Sequence, residues 1–447
     1  MSKPHTDPRA VNPTGAQDGK AAVLILAGHA LRPLPLDRPR ISIVVDEMEF
    51  GRDRTSESWT TELQDPMMSR RHARIARAPS GDYFVSDLGS TNGTWVGGRT
   101  VPAGTARKLE PGSVLAMGGH VFVFRRLSQE DIVAIREDWS FPFAPVPTLS
   151  APLAVLLRKL SRLAPSRVDI LLSGETGVGK EIHAEAIHRA SGRKGPFIAI
   201  NCAAIPDNLV ESELFGYARG AHSTADRGKS GLIEQAEGGT LFLDEIGEMS
   251  QTAQTKLLRF LQSREVLTLG TTRKRTLDVR VVAATNRRLE ADAAGQGLRD
   301  DLAARLGPEP FNLPPLRERL EDIGLLTAHF AKAEVELVPE AYQALFLHAW
   351  KGNVRELEKV VTLARVLVGE GTPIGFEHLP KPLAAKIERP AGKAVIQRSR
   401  PTREELRTLL SRHGGDVAQM AREIGRQRTL VWRWLRENHL SPADYRS

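Results

Sequence analysis

The chain has 447 residues, enough for about three domains of ordinary size, each able to bury a core of its own. An apolar share of 41% is ordinary for soluble globular protein, and no stretch approaches the roughly 20 apolar residues that a membrane-spanning helix needs. A single cysteine, Cys202, excludes an internal disulfide framework and a clustered cysteine metal site, which fits a reducing compartment and a cytoplasmic protein.

The net charge of +8 is unevenly spread. Residues 381–447 hold fifteen Lys or Arg against seven Asp or Glu, so this segment carries the whole surplus. A basic excess confined to one end is the electrostatic footprint of a nucleic-acid-binding tail.

In chain order, residues 1–20 are rich in Pro, Gly, Asp and Asn and read as a disordered tail. Short apolar runs at 23–26, 41–45, 83–85 and 121–124, separated by turn formers, predict an all-β sandwich over 21–128. Residues 129–147 combine a short polar helix with Pro142, Pro145 and Pro147 and form a first linker. From 148 to 382, helical patterns alternate with strand runs at 168–172, 197–200, 240–243 and 279–284, which predicts an α/β domain with a parallel sheet. Its pattern becomes wholly helical after Pro314 and Pro315. A second linker spans 383–401, bounded by Pro390 and Pro401, and 402–447 is an all-α unit. The sequence has no internal repeats.

Residues 174–180 read GETGVGK directly after the run 168–172, which matches the core of a phosphate-binding loop in its strand-to-helix context. Gly174, Glu175, Thr176, Gly177, Val178, Gly179, Lys180 and Glu181 are the cofactor-binding candidates. Backbone N–H groups of such a loop wrap phosphates while Lys180 offsets their charge. Glu181 stands where a magnesium-binding Ser or Thr is usual. The run 240–243 ends in Asp244 and Glu245, two carboxylates suited to holding Mg²⁺, directly or through water, and to polarising an attacking water.

The motifs GETGVGKE, NCAAI (201–205), ELFG (213–216), GGTLFLDEIGEM (238–249), AATN (283–286), LPPLRER (313–319) and GNVRELE (352–358) stand in family order. Together they resemble the AAA+ ATPase domain of the sigma-54-dependent enhancer-binding proteins, in which Glu181 is normal. The resemblance implies ATP and Mg²⁺ as cofactors, with a helical lid from about 314. It implies Asn201 as a switch residue holding Glu245 inactive and Asn286 as the sensor at its strand end. Arg299 and Arg305 take the roles of arginine fingers reaching a neighbouring subunit, and Arg355 that of a second sensor in the lid. ATP then binds between subunits of a ring, a hexamer when active.

Gly220, Ala221, His222, Ser223, Thr224 and Ala225 align with the GAFTGA loop by which that family touches the sigma factor, and three of the six positions differ. Thr224 replaces a glycine, and a β-branched residue resists the positive φ that glycine supplies.

In the sandwich, Phe50-Gly51-Arg52, Ser69-Arg70-Arg71-His72 and the stretch 87–94 resemble the forkhead-associated (FHA) domain. The resemblance implies phosphothreonine binding by Arg52, Ser69, Arg70, Thr91 and Asn92, with Gly51 and His72 shaping the loops. These types supply the charged fork and short donors that a dianionic phosphate needs. Two departures are the long segment between Arg52 and Ser69, and Gly97 where the family has asparagine.

In the tail, Gly414, Gly415 and Asp416 precede a helix over 417–424, Gly425 makes a turn, and 428–437 is a second helix, a helix-turn-helix pattern. Val417, Ala421, Ile424, Leu430 and Leu435 are the expected packing residues. Gln427, Arg428, Thr429, Trp432, Arg433 and Arg436 are left for DNA. The unit resembles the Fis-type domain of many enhancer-binding proteins.

These readings imply an ATP-dependent activator that binds DNA, senses a phosphothreonine protein from a Ser/Thr kinase pathway and remodels sigma-54 RNA polymerase. The variant loop keeps a second reading open, a DNA-bound, phosphoprotein-responsive regulator that uses nucleotide for assembly without acting on sigma-54.

Overall fold

The computed structural model describes residues 19–31, 39–44, 46–52, 65, 67–218, 228–268, 274–286, 297–307, 309–332, 336–368, 372–384, 387, 401, 403–424 and 428–445, with the backbone alone at 207, 208, 422, 428–430, 433 and 437. The N-terminal unit is the expected sandwich. One antiparallel sheet runs in the order Ile41–Ile43, Ala21–His29, His120–Leu127, Val114–Met117, Thr94–Val96, Arg99–Val101. The other runs Glu47–Phe50, Ala73–Arg77, Tyr83–Asp87, Ala106–Leu109. Leu24, Leu26, Ile75, Val85, Phe122 and Phe124 meet between them as the core.

The strand Ala21–His29 is buried at every position, which alternation of one wet and one dry face cannot produce. Ala22, Leu24 and Leu26 face the sandwich core. Ala21, Val23 and Ile25 instead pack on Ile132 and Ile135 of the helix Gln129–Ser140 and on Ala154 of the helix Ala151–Leu163. The first of these helices starts in a reciprocal cap, with Ser128 Oγ accepting from Asp131 N and Ser128 N donating to Asp131. The segment expected as a linker is thus partly a packed layer between two domains.

In the central unit a five-stranded parallel sheet has the order Phe197–Asn201, Thr240–Asp244, Arg280–Thr285, Ile170–Ser173, Phe311–Asn312. Side chains alternate between two cores. Ile170, Leu172, Phe242 and Val282 pack on the helices Ala151–Leu163 and Lys180–Ala190, while Leu171, Leu241, Leu243 and Val281 pack on Gln251–Ser263 and Asp300–Leu306. Burial on both faces explains the unbroken apolar runs.

The helices Ile323–Phe330, Pro339–Leu347 and Asn353–Leu367 form a lid around the fully buried Trp350, whose Nε1 donates to Leu345 O at 2.8 Å. The same cluster takes in Ala27, Ala30, Trp95 and Val123 of the sandwich. Two glycines permit this close approach: a Cβ on Gly28 would overlap the Tyr342 hydroxyl, and one on Gly324 would overlap Ala27 O. Three short helices, Arg403–Arg412, Val417–Glu423 and Arg428–Glu437, close a separate small core of Leu406, Leu410, Met420, Val431, Trp434 and Leu435.

One ion pair is buried in the joint between sandwich and lid. Arg125 donates from Nη2 and Nε to Glu321 Oε2 at 2.7 and 3.2 Å and from Nη2 to Glu318 O at 3.0 Å. Burial pushes the Glu321 carboxyl up to about 7, against the pull of Arg125. A carboxyl with a raised folded pKa contributes stability that is full below its unfolded value and lost as pH rises through the folded one. Arg125→Ala removes the opposing cation and raises that value further. The variant is expected to lose up to about 1.4 kcal/mol more near pH 8, where the wild type holds Glu321 ionised beside Arg125 and the variant must keep it protonated, than near pH 5.5, where both carry the proton. Calorimetric unfolding at the two pH values checks this, and equal losses at both would contradict it.

Candidate functional site

The strand Ile170–Ser173 runs into a loop with Gly174, Gly177 and Gly179 at φ of 151°, 80° and 104°, conformations that favour glycine. The helix Lys180–Ala190 follows at once, so the loop's amides and the positive end of a helix dipole face one space. Lys180 is buried, and its Nζ donates to Gly174 O at 3.0 Å. His183 Nδ1 lies 2.7 Å from Gly179 O, and burial lowers its pKa to about 4, which fixes it as a neutral donor to the loop. Glu181 is exposed in the first helical turn.

Parallel pairing brings Asn201 level with Asp244 at the ends of adjacent strands. Glu245, one residue on, sits at φ 53°, a left-handed conformation rare for a non-glycine residue and costly enough to be meaningful beside a site. Its Oε1 is 3.7 Å from Lys180 Nζ, and its Oε2 accepts from Asn286 N at 3.3 Å. Burial pushes the Glu245 carboxyl above its ordinary range; Lys180 opposes this and Asp244 adds to it. Cys202 beside them is buried, and its thiol is pushed up to about 12 by that burial and by the two carboxylates, so it is held protonated.

The structure brings together Lys180, Asp244, Glu245 and Asn286. It does not form the expected hold of Asn201 on Glu245: Asn201 Oδ1 instead accepts from Ala203 N at 2.9 Å, capping the turn Cys202–Ala204. Arg299 and Arg305 both lie along the helix Gln251–Ser263. Arg299 is paired with Asp301 and approaches Thr255, while Arg305 donates to Leu261 O. Arg355 is exposed, with its backbone against the loop at Gly177 O.

The residues that join lid to loop went unassigned at the level of sequence, although they stand inside LPPLRER and GNVRELE. Arg317 grips both oxygens of Glu175 at 2.7 and 2.8 Å. Asn353 Nδ2 donates to Glu175 Oε2 and Thr176 O, while its Oδ1 accepts from Leu316 N. Arg319, buried, donates to Val178 O at 2.9 Å. The Arg317 bonds, helped by Asn353, pull the Glu175 carboxyl down to about 2.

At the rim of the sandwich Arg52, Ser69, Arg70, Thr91 and Asn92 stand on adjoining loops. Arg52 N donates to Ser69 O, Thr91 N donates to Ser69 Oγ at 2.9 Å, and Asn92 Nδ2 donates to Met67 O at 2.7 Å. Arg52 and Arg70 are exposed. His72 accepts from Ser69 N through Nδ1 and faces Gly93 O through Nε2, which places its proton on Nε2. A Cβ on Gly51 would overlap Arg70 O, so glycine is required where these loops meet.

Of the remaining candidates, Gly220 to Ala225 and Gln427 lie outside the described residues, as do the side chains of Arg428, Thr429 and Arg433. Trp432 and Arg436 are exposed on the helix Arg428–Glu437. Val431, Trp434 and Leu435 of this helix pack in the small core with the expected Val417, Ala421 and Ile424, while the side chain of Leu430 lies outside the described residues.

Comparison with known proteins accords with this geometry. Residues 148–311 match the Sigma-54 interaction domain, 317–394 the AAA+ ATPase lid domain and 48–118 the FHA domain. The chain is 44% identical over 238 residues to the regulatory protein LuxO of Vibrio cholerae serotype O1, 51% of this chain and 45% of that one, so it spans less than half of that relative. It is 40% identical over 306 residues to the transcriptional regulatory protein GlrR of Escherichia coli K12, 66% of this chain and 68% of that protein. It is 37% identical over 323 residues to the regulatory protein AtoC of the same strain, 68% and 70% of the two chains. With the interaction domain and lid in order and this extent of likeness, the chain belongs to the family of sigma-54-dependent transcriptional regulators.

Proposed function

We propose that this protein hydrolyses ATP to remodel sigma-54 RNA polymerase at promoters, under the control of a phosphothreonine partner bound by its sandwich. The observation that carries the reading is the meeting of Lys180, Glu245 and the Asn286 amide at the strand ends, at 3.7 and 3.3 Å.

The residues suit the nucleotide. Three glycines at positive φ let the loop curl around one space, and Lys180 is buried against the loop carbonyls with its charge directed at Glu245. Lys180 and the loop would bind the phosphates, and Asp244 would hold Mg²⁺ directly or through water. Glu245, with a raised affinity for protons, would take one from the attacking water. Bound ATP and Mg²⁺ supply the phosphoryl group whose transfer to water drives the cycle.

In the active hexamer Arg299 and Arg305 would serve the site of the next subunit. The Arg299–Asp301 pair is solvent-exposed and correspondingly weak, so Arg299 is easily redeployed. Arg355 would contact the nucleotide from the lid. Asn201, now capping a turn, would reach Glu245 in another nucleotide state. The basic tail would bind an enhancer-like DNA site as a helix-turn-helix, through Gln427, Arg428, Thr429, Trp432, Arg433 and Arg436.

His222 and Thr224, which break the sigma-contacting pattern, favour the second reading of a regulator that does not drive sigma-54. Transcription by purified sigma-54 polymerase with ATP separates the two: promoter opening by the wild type that is lost in Glu245→Ala supports the activator, and hydrolysis without opening supports the regulator.

Lys180→Ala is expected to abolish binding of a fluorescent ATP analogue; unchanged affinity would remove Lys180 from the site. Glu245→Gln should keep that binding while hydrolysis falls by roughly 10²–10⁴, as read from phosphate release. Arg52→Ala should weaken a phosphothreonine peptide by at least about tenfold, since a charge-assisted contact is lost, as measured by calorimetric titration against the unphosphorylated peptide.

A further inference from the structure

The pairing of the strands Ala21–His29 and His120–Leu127 sets His29 directly opposite His120, with the rings 4.5 Å apart at 78°. Asp65 reaches between them, and all three residues are buried. Its Oδ2 lies 3.5 Å from His29 Nε2 and 3.3 Å from His120 Nδ1. His120 Nδ1 is nonetheless without a hydrogen bond, so at that distance it is not aimed along the line to the carboxylate. A buried ring nitrogen left without a hydrogen bond, close to a carboxylate and a second imidazole, leaves a lone pair that an ion could take.

The geometry points to a divalent metal site formed by His29 Nε2, Asp65 Oδ2 and His120 Nδ1, of the kind that takes Zn²⁺. Bonds of about 2.0–2.1 Å in a tetrahedral arrangement separate neighbouring ligand atoms by about 3.3–3.4 Å, close to the two spacings found from Asp65 Oδ2, and all three atoms lie within 4.8 Å of one another. Two imidazoles and one carboxylate suit zinc, and water would complete the set from the side of His29. The carboxylate is already oriented: Oδ1 accepts from Met67 N at 2.8 Å and Oδ2 from Gly119 N at 2.7 Å. Gly118 and Gly119 make room, since a Cβ there would come within 2.5 Å of Asp65 Oδ2 and 2.8 Å of His29 Nε2. Ligation through Nε2 puts the His29 ring proton on Nδ1, so the 3.2 Å bond from Leu31 N is given up in exchange for a metal bond.

Such an ion would clamp the chain at Asp65, two residues before Met67, whose carbonyl holds Asn92. It would also sit beside Ala30, whose carbonyl accepts from Leu337 N of the lid.

The test uses the full chain, stripped with a chelator and dialysed against buffered Zn²⁺ without nucleotide, with metal per chain measured by mass spectrometry. Replacement by Co²⁺ reads the geometry from its visible absorption. About one equivalent of zinc and a tetrahedral cobalt spectrum are expected, with His120→Gln and His29→Gln weakened at least tenfold while far-UV circular dichroism is retained. A wild type that takes up less than a tenth of an equivalent, or that shows only octahedral cobalt, overturns the site whatever the variants do. Equal uptake by wild type and folded variants overturns it too. Should one variant fail to fold, the other and the wild-type cobalt spectrum decide.

Discussion

The arrangement of the whole molecule depends on Asn353. It opens a lid helix at φ 54°, is fully buried, and uses its one side chain to bind two other segments: it donates to Glu175 and Thr176 of the phosphate loop and accepts from Leu316 at the lid's entrance. A buried amide with every partner present stabilises modestly, whereas losing one partner leaves an orphaned polar group, so the arrangement is specified more strongly than it is stabilised. Val354 N and Arg355 N then reach Gly177 O, and a Cβ on Gly177 would collide with Gly352 O. Loop and lid are therefore in direct backbone contact, and a change in the loop is felt at the start of the lid helix.

The lid passes that constraint to the sandwich. Within seven residues, Arg317 binds Glu175, Arg319 binds Val178 O, Glu321 binds Arg125 of the sandwich, and Asp322 binds Thr148 and Leu149 at the entrance to the central domain. One turn of chain thereby contacts the nucleotide loop, the input domain and the connection between them. The apolar cluster that Ala27 and Trp95 share with Tyr342 and Ile323 makes the joint broad. Trp95 in turn donates to Asn92 O at the rim of the sandwich. A continuous set of contacts thus runs from one proposed binding site to the other.

Much of this was legible in the sequence wherever chemistry and local geometry coincide. GETGVGK needs its glycines at positive φ, and they are found there; the run 240–243 announced a strand ending in carboxylates, and the strand is Thr240–Asp244. What the sequence concealed was long-range partnership. Nothing local in Ala21–His29 says that its second face is covered by Ile132, Ile135 and the lid, because an unbroken apolar strand looks the same in a parallel sheet and under a helical layer. Arg317 and Asn353 were visible as motif letters, but their partner Glu175 lies over 140 residues away. His29, Asp65 and His120 meet only through strand register and share no spacing that a motif could carry. Asn201 shows the converse, since an asparagine at a strand end serves equally as a switch or as a cap, and here it caps.

The two glutamates of the nucleotide site settle their own division of labour. Glu175 stands at the mouth of the loop, where Arg317 and Asn353 satisfy both oxygens and hold it ionised to about pH 2. Held by those bonds, it stays ionised near neutrality and is tied to Arg317 and Asn353, which suits it to fasten the lid. Glu245 has the opposite surroundings. Burial and the facing Asp244 raise its proton affinity, and one cation at 3.7 Å with a single backbone amide opposes them only in part. Environments that drive two like groups apart in pKa assign them different work. On that ground Glu245, whose backbone bears a φ of 53°, suits the role of proton acceptor proposed for it, and strain of that kind gathers where a side chain must be aimed.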